Sequence, residues 1–274
     1  MGTRLIALDL DGTLLNEKMH VSEKTRQVME LCAQRGIEIV PATGRALPAV
    51  PEEVLSLPGV HYGIFTNGAV VRDFGKNIWA SESCLSWEET IRVIEVLRRH
   101  PVIYDMYVSE GGISETRLLA QLEEYGIPER ECAYIRATRR AVTDMVEYLR
   151  EKKCPVQKMN LNFKDRESKQ AVRAKLEAMP EVLVTSSLPW NLELNAAGIT
   201  KGSGLRNLCQ YLGIEAEETM AFGDGENDWP MLEAAGIGVA MENGAPFLKE
   251  RADRIAASNR EEGVAEAIRQ WVLI

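Results

Sequence analysis

Apolar and polar positions along this chain alternate between two spacings. In "RLIALDL", Leu5, Ile6, Ala7, Leu8 and Leu10 form the short apolar run of a strand buried on both faces. "SEKTRQVMELCAQRG" follows with Val28, Leu31 and Cys32 at helical spacing, Ser22 as N-cap and Gly36 as stop. "IEIVPATGR" predicts a second strand running into a loop, and "YGIFTNGAVV" a third with an Asn67-Gly68 turn. Strand, helix and strand joined by short links predict a right-handed parallel crossover. The alternation returns near the C-terminus: "ETMAFGDG" reads as a strand, "NDWPMLEAAG" as a short helix closed by Gly236, "IGVAM" as a strand and "REEGVAEAIRQW" as a last helix. These elements predict an α/β fold whose parallel sheet is covered on both faces.

Between about Cys84 and Pro189 the texture differs. Helical patterns such as "SWEETIRVIEVLRR", "VTDMVEYLREK" and "DRESKQAVRAKLEAM" alternate there with "VIYDMYV" and "VQKMNLNF". In the last run Lys158, Asn160 and Asn162 face one way and Met159, Leu161 and Phe163 the other, as in a sheet with one wet face. A smaller α+β domain inserted into the first is expected: core over 1–83, insert over 84–189, core again over 190–274.

Composition narrows the class. The 274 residues are 45% hydrophobic and 27% charged, as in soluble globular proteins. A formal net charge of −9 argues against a nucleic-acid partner, for which a basic field is the footprint. Cys32, Cys84, Cys132, Cys154 and Cys209 show no CxxC spacing, so a reduced, cytoplasmic setting is expected. His20, His61 and His100 are scattered, which gives zinc no support. No apolar run has the length of a membrane span, two aspartates break the first run before it resembles a signal segment, and Ile6 does not suit a Met1-Gly2 acylation signal.

The chemistry is expected where strands end, because ligands of a doubly wound sheet bind beyond the carboxyl ends. The first end offers Asp9, Asp11 and Thr13; the second Thr43-Gly44-Arg45; a later one "GDGEND" with Asp224 and Asp228. Asp-Gly alone would be a turn, which accounts for Asp11 but not for Asp9. Residues two apart on a strand share a side, and two carboxylates about 4 Å apart repel by about 4 kcal/mol at an effective dielectric near 20. The cluster therefore calls for a cation, and its hard oxygen donors favour Mg²⁺. In "GITKGSGLRNL", Thr200 is an N-cap that puts Lys201 in a first helical turn, where the helix dipole disfavours a cation. Gly202 and Gly204 weaken that turn further, and an anion beside Lys201 would remove the conflict.

Together "DLDGT", "ATGR", Lys201 and "GDGEND" resemble the four motifs of the haloacid dehalogenase-like (HAD) hydrolase superfamily. "TNGAVV" and the tail "AMENGAPFLKERADRIAASNREEGVAEAI" bring the resemblance closer to its Cof-like phosphatases. The resemblance implies a Rossmann-like doubly wound core with an α+β cap of the C2B type inserted between the second and third motifs. It implies Asp9 as nucleophile, Asp11 as general acid and base, and Leu10, Thr43, Gly44, Lys201 and Asn227 as holders of the substrate phosphate. It further implies a Mg²⁺ site of Asp9, the Asp11 main-chain carbonyl and Asp224, with Asp228 in support. A small phosphorylated metabolite, first among them a sugar phosphate, is the expected partner, chosen by the cap; "VQKMNLNF", the Glu193 region and Asn67 are candidates for that choice.

Asp11 and the absence of spanning segments argue against a P-type ATPase, and Asp11 against a dehalogenase. A phosphomutase and a non-catalytic sugar-phosphate sensor stay open at this point. The sequence departs from the resemblance at Asn243-Gly244, where Asn-Ala is usual, and at Trp229, where an aliphatic residue is; Trp229 is expected to pack beside the site. Oligomeric state is not readable.

Overall fold

The computed structural model describes residues 2–186 and 189–273, so Met1 of the Met1-Gly2 pair considered above lies outside it. In chain order its strands are β1 (Leu5–Leu8), β2 (Glu38–Pro41), β3 (Tyr62–Phe65), β4 (Val70–Asp73), β5 (Ile78–Glu82), β6 (Val102–Val108), β7 (Gly111–Glu115), β8 (Arg139–Val142), β9 (Lys158–Phe163), β10 (Val182–Thr185), β11 (Asn191–Ala196), β12 (Thr219–Gly223), β13 (Ile237–Met241) and β14 (Arg254–Ala256). They belong to two compact units: residues up to Glu82 with those from Ile199 onward, and Ser83–Gly198.

The first unit is built on β1. Its side chains are fully buried on alternate sides of a parallel sheet of order β14-β13-β12-β1-β2. Ile6 and Leu8 pack with Val28, Met29 and Cys32 of the helix Glu23–Gln34 and with Ala265 and Ile268 of the helix Gly263–Trp271. Leu5 and Ala7 pack on the other side with Leu205 and Leu208 of the helix Lys201–Leu212 and with Met231 and Leu232 of the helix Trp229–Ala234. Each large apolar side chain so covered contributes roughly 1.5–3 kcal/mol relative to exposure. The fold is the expected doubly wound α/β core. A three-stranded antiparallel sheet, β3-β4-β5, extends it through a parallel bridge between Ala42 and Ile64.

Two local expectations change. Ser22 caps the first helix as predicted, but Leu31 is 47% exposed and Met29 takes its place in the core. The stripe of that helix is centred on Val28, Met29 and Cys32, which lie within one turn of the same face. The last helix begins at Gly263 rather than Arg260, after Glu262 adopts a left-handed φ of 61°.

The second unit carries a sheet of order β10-β11-β9-β6-β7-β8, antiparallel except for β7 against β8. Met106, Met159, Leu161, Leu192 and Leu194 pack on one face with Ile94, Leu149 and Val172 of its helices. The expected boundary at 189/190 moves: β11 pairs with β9 and β10, so residues 190–198 complete this sheet instead of returning to the core. Lys158, expected on a wet face, is buried because Glu193 Oε2 lies 2.9 Å from its Nζ. Asp105 is held similarly, accepting from Arg139 Nε at 2.8 Å and from Asn160 Nδ2 at 2.9 Å.

Candidate active site

The sheet order places the ends of β12, β1 and β2 side by side, which brings three loops together that lie far apart in sequence. Asp9, 5% exposed, still donates its main-chain N–H to Phe222 O at 3.1 Å. The chain then turns, with Leu14 and Leu15 N–H groups donating back to the carbonyls of Asp9 and Leu10. Gly12 makes this possible: its φ is +87°, and a Cβ there would lie 2.4 Å from Asp224 Oδ2. Leu10 buries its side chain completely, so it can offer a ligand only its main chain.

Because β1 ends at Leu8, the rule that residues two apart share a side does not carry from Asp9 to Asp11. Asp9, Asp224 and Asp228 converge, with ligand oxygens within 4.8 Å of one another. The Asp11 carboxylate, half exposed, accepts instead from Arg45 Nε at 2.8 Å and Nη2 at 2.6 Å. Arg45 was visible in "ATGR" as part of a motif, but nothing in its spacing announced this fork-to-fork pair.

Lys201 is 1% exposed and its Nζ donates to Asp9 Oδ1 and Asp228 Oδ1, each at 2.6 Å. These carboxylates are the anions that relieve the cation at the helix start. Thr200 caps that helix reciprocally with Ser203. Gly202 is there for contact: a Cβ would sit 2.0 Å from Pro230 O. Asp228 has both oxygens engaged, Oδ2 accepting from the N–H groups of Asp224 (2.9 Å) and Gly225 (2.8 Å). Thr13 Oγ1 donates to Asp224 Oδ1 at 3.2 Å.

Burial, followed by the neighbouring Asp228 carboxylate, holds the Asp9 carboxyl well above its ordinary pKa despite Lys201. The same two causes in the same order push Asp224 up to about 6. For Lys201 burial opposes the charge, but Asp228 and Asp9 outweigh it and the ammonium is held above its usual range.

Thr43 is buried at the end of β2, where its Oγ1 accepts the Arg45 N–H at 3.1 Å, and Gly44 lies between them. Asn227 Nδ2 donates to Asn67 Oδ1 at 3.2 Å. Sequence reasoning marked Asn243 only as part of a departure and missed Asn259; their Nδ2 groups donate to Gly12 O and Leu15 O, both at 2.8 Å, and brace the Asp11 turn. Gly244 answers one departure: a Cβ there would lie 3.0 Å from Asp224 Cα. Trp229 packs, as expected, against the apolar cluster of the helix Lys201–Leu212.

Residues 6–268 match the family model of haloacid dehalogenase-like hydrolases. The chain belongs to that family. It is 30% identical, over 98% of its length and 96% of the relative's, to the 5-amino-6-(5-phospho-D-ribitylamino)uracil phosphatase YcsE of Bacillus subtilis. A solved HAD-like hydrolase from B. subtilis superposes with a TM-score of 0.84 at 28% identity, covering 98% of this chain and 100% of that one. The HAD subclass IIB sugar phosphatase BT4131 superposes with a TM-score of 0.82 at 25% identity, covering 99% and 100%. Among the described residues, no helix of this HAD phosphatase is long and apolar enough to cross a membrane.

Proposed function

We propose that this HAD phosphatase hydrolyses a small phosphorylated metabolite through a phosphoryl group carried transiently on Asp9, with Mg²⁺ as cofactor. The reading is carried by one arrangement: Asp9 is buried beside Asp224 and bound through Oδ1 to Lys201, while Asp11 stands outside the cluster on Arg45. Among the described residues the Asp9 Oδ2 accepts no hydrogen bond, which suits it to attack phosphorus. The bond from phosphorus to the leaving oxygen breaks as Asp11 supplies that oxygen with a proton. Asp11 then takes a proton from a water that attacks the phosphorus, and inorganic phosphate leaves with Asp9 restored. Half exposure suits Asp11 to give and take protons.

The donor set fits Mg²⁺. It consists of hard oxygens only, and it gathers the carboxylates of Asp9, Asp224 and Asp228 within 4.8 Å of one another beside the single ammonium of Lys201. Asp9, Asp224 and the Asp11 main-chain carbonyl would hold the ion. Asp228, with both oxygens engaged, would support them by fixing Lys201 and the turn at Asp224 and Gly225. When bound, the ion supplies positive charge against the phosphoryl oxygens. Lys201, Asn227, Thr43 and the Gly44 and Leu10 main chains would hold those oxygens.

The similarity to a sugar phosphatase and to a phosphoribitylaminouracil phosphatase favours a phosphate on a polyhydroxylated carbon chain. The test is phosphate release with Mg²⁺ over a panel of sugar and polyol phosphates. Wild type should turn over several of them, and Asp9→Asn should lose roughly four orders of magnitude or more in kcat. Undiminished activity in Asp9→Asn would overturn the nucleophile, and a silent wild type across the panel would favour a phosphate-binding sensor.

A further inference from the structure

Thr66, Asn67 and Gly68 join β3 to β4 with three successive positive φ angles, 49°, 58° and 96°. A β-branched residue in the left-handed region is an outlier that persists only where its surroundings over-determine it. Here they do. The Thr66 N–H donates to Arg45 O at 2.9 Å and the Asn67 N–H to Thr43 O at 3.1 Å. Gly68 lies so close to the next segment that a Cβ would be 2.1 Å from Thr200 O, directly before Lys201. The Asn67 side chain, 2% exposed, accepts from Asn227 Nδ2 at 3.2 Å. One short loop therefore touches the segments that carry Thr43, Lys201 and Asn227.

We infer that Asn67 is a positioning residue: its amide oxygen orients the Asn227 amide toward the phosphate, and its left-handed loop sets the spacing of Thr43, Lys201 and Asn227. The inference rests on the phosphate-holding role proposed above for those three residues. A carboxamide has a donating end and an accepting end that exchange by a half-turn about its last bond. With one N–H of Asn227 given to Asn67 Oδ1, the nitrogen is kept on that side and its second N–H is left for an anion. The half-turned amide would set two carbonyl oxygens against each other and present an oxygen to the phosphate. Asparagine meets both needs of position 67, tolerance of positive φ and a neutral acceptor. Asn67 thus acts from within the core unit, not as the substrate-choosing residue the sequence suggested.

The discriminating variant is Asn67→Gly, which accepts a φ of 58° without strain and removes only the amide. Its melting temperature should match wild type while kcat/KM falls about tenfold, the equivalent of one ordinary hydrogen bond. The double variant Asn67→Gly/Asn227→Ala should be no slower than Asn227→Ala alone, since Asn67 acts through Asn227. A readout without turnover is the pair of Asn227 side-chain amide protons in a ¹H–¹⁵N spectrum, assigned by their loss in Asn227→Ala. Asn67→Gly should move them toward the shifts of a solvated amide, whereas Asn67→Asp, which keeps an acceptor, should preserve them and raise KM through its charge. Multiplicative losses in the double variant, or amide shifts unmoved by Asn67→Gly, overturn the inference. A wild type silent toward every phosphate overturns the proposed function instead, and the amide shifts then decide the tie by themselves.

Discussion

Removing the charge of Lys201 while keeping its bulk, as in Lys201→Met, tests the electrostatic core of the site. Lys201 Nζ lies 2.6 Å from both Asp9 Oδ1 and Asp228 Oδ1 and is 1% exposed. Without it, two buried carboxylates within 4.8 Å of one another face each other unshielded. Their repulsion is about 3 kcal/mol at an effective dielectric near 20, and each lost charge-assisted hydrogen bond adds about 1.5–3 kcal/mol. Proton uptake limits the sum, so the expected loss is about 3–5 kcal/mol, the range for breaking a buried ion pair from one side. The sign with pH follows from Asp9 and Asp224, whose folded-state pKa values are raised. The folded state binds their protons more tightly than the unfolded chain, so metal-free stability falls as pH rises from about 4 through about 6. Lys201→Met steepens that fall, and its deficit should be largest above about pH 7 and shrink by about pH 5. Magnesium should then stabilise Lys201→Met more than wild type, because ion and lysine neutralise the same carboxylates. Urea unfolding of both proteins, with chelator and with saturating magnesium, measures all of this. A deficit under about 1 kcal/mol at neutral pH, or equal magnesium increments in both proteins, would refute the reasoning.

Gly202→Ala should destabilise by about 2 kcal/mol or more despite a gain of about 1 kcal/mol in helix propensity, because its Cβ would meet Pro230 O at 2.0 Å; thermal unfolding reads it. Arg45→Ala should cost less than about 1 kcal/mol in stability, since the pair with Asp11 is 27% and 50% exposed, yet lower kcat by about tenfold or more through a mispositioned proton carrier; a normal kcat would separate Arg45 from the chemistry. With Asp224 titrating at about 6, magnesium affinity measured by calorimetry should weaken about tenfold per unit below that pH, and a pH-independent affinity would remove Asp224 from the ligand set.

Local chemistry settled a good deal of this protein before any folding. The apolar run of β1, the caps Ser22 and Thr200, and the polar loops closing β1, β2 and β12 are properties of neighbouring residues, and periodicity reports those. Two apolar faces on one four-residue strand already required helices on both sides. Tertiary structure alone decided which loops meet. The order β12-β1-β2 is not sequential, so Lys201 reaches Asp9 across 192 positions and Asn227 reaches Asn67 across 160. Tertiary structure also parted the two aspartates of "DLDGT", since Asp9 joins Lys201, Asp224 and Asp228 while Arg45 takes the Asp11 carboxylate. It assigned β11 to the inserted unit, because a strand's partners are chosen by edge complementarity that its own alternation does not encode. The same cause buried Lys158: hydrophobic patterning marks a lysine as wet, and only a carboxylate arriving on the neighbouring strand makes its burial affordable.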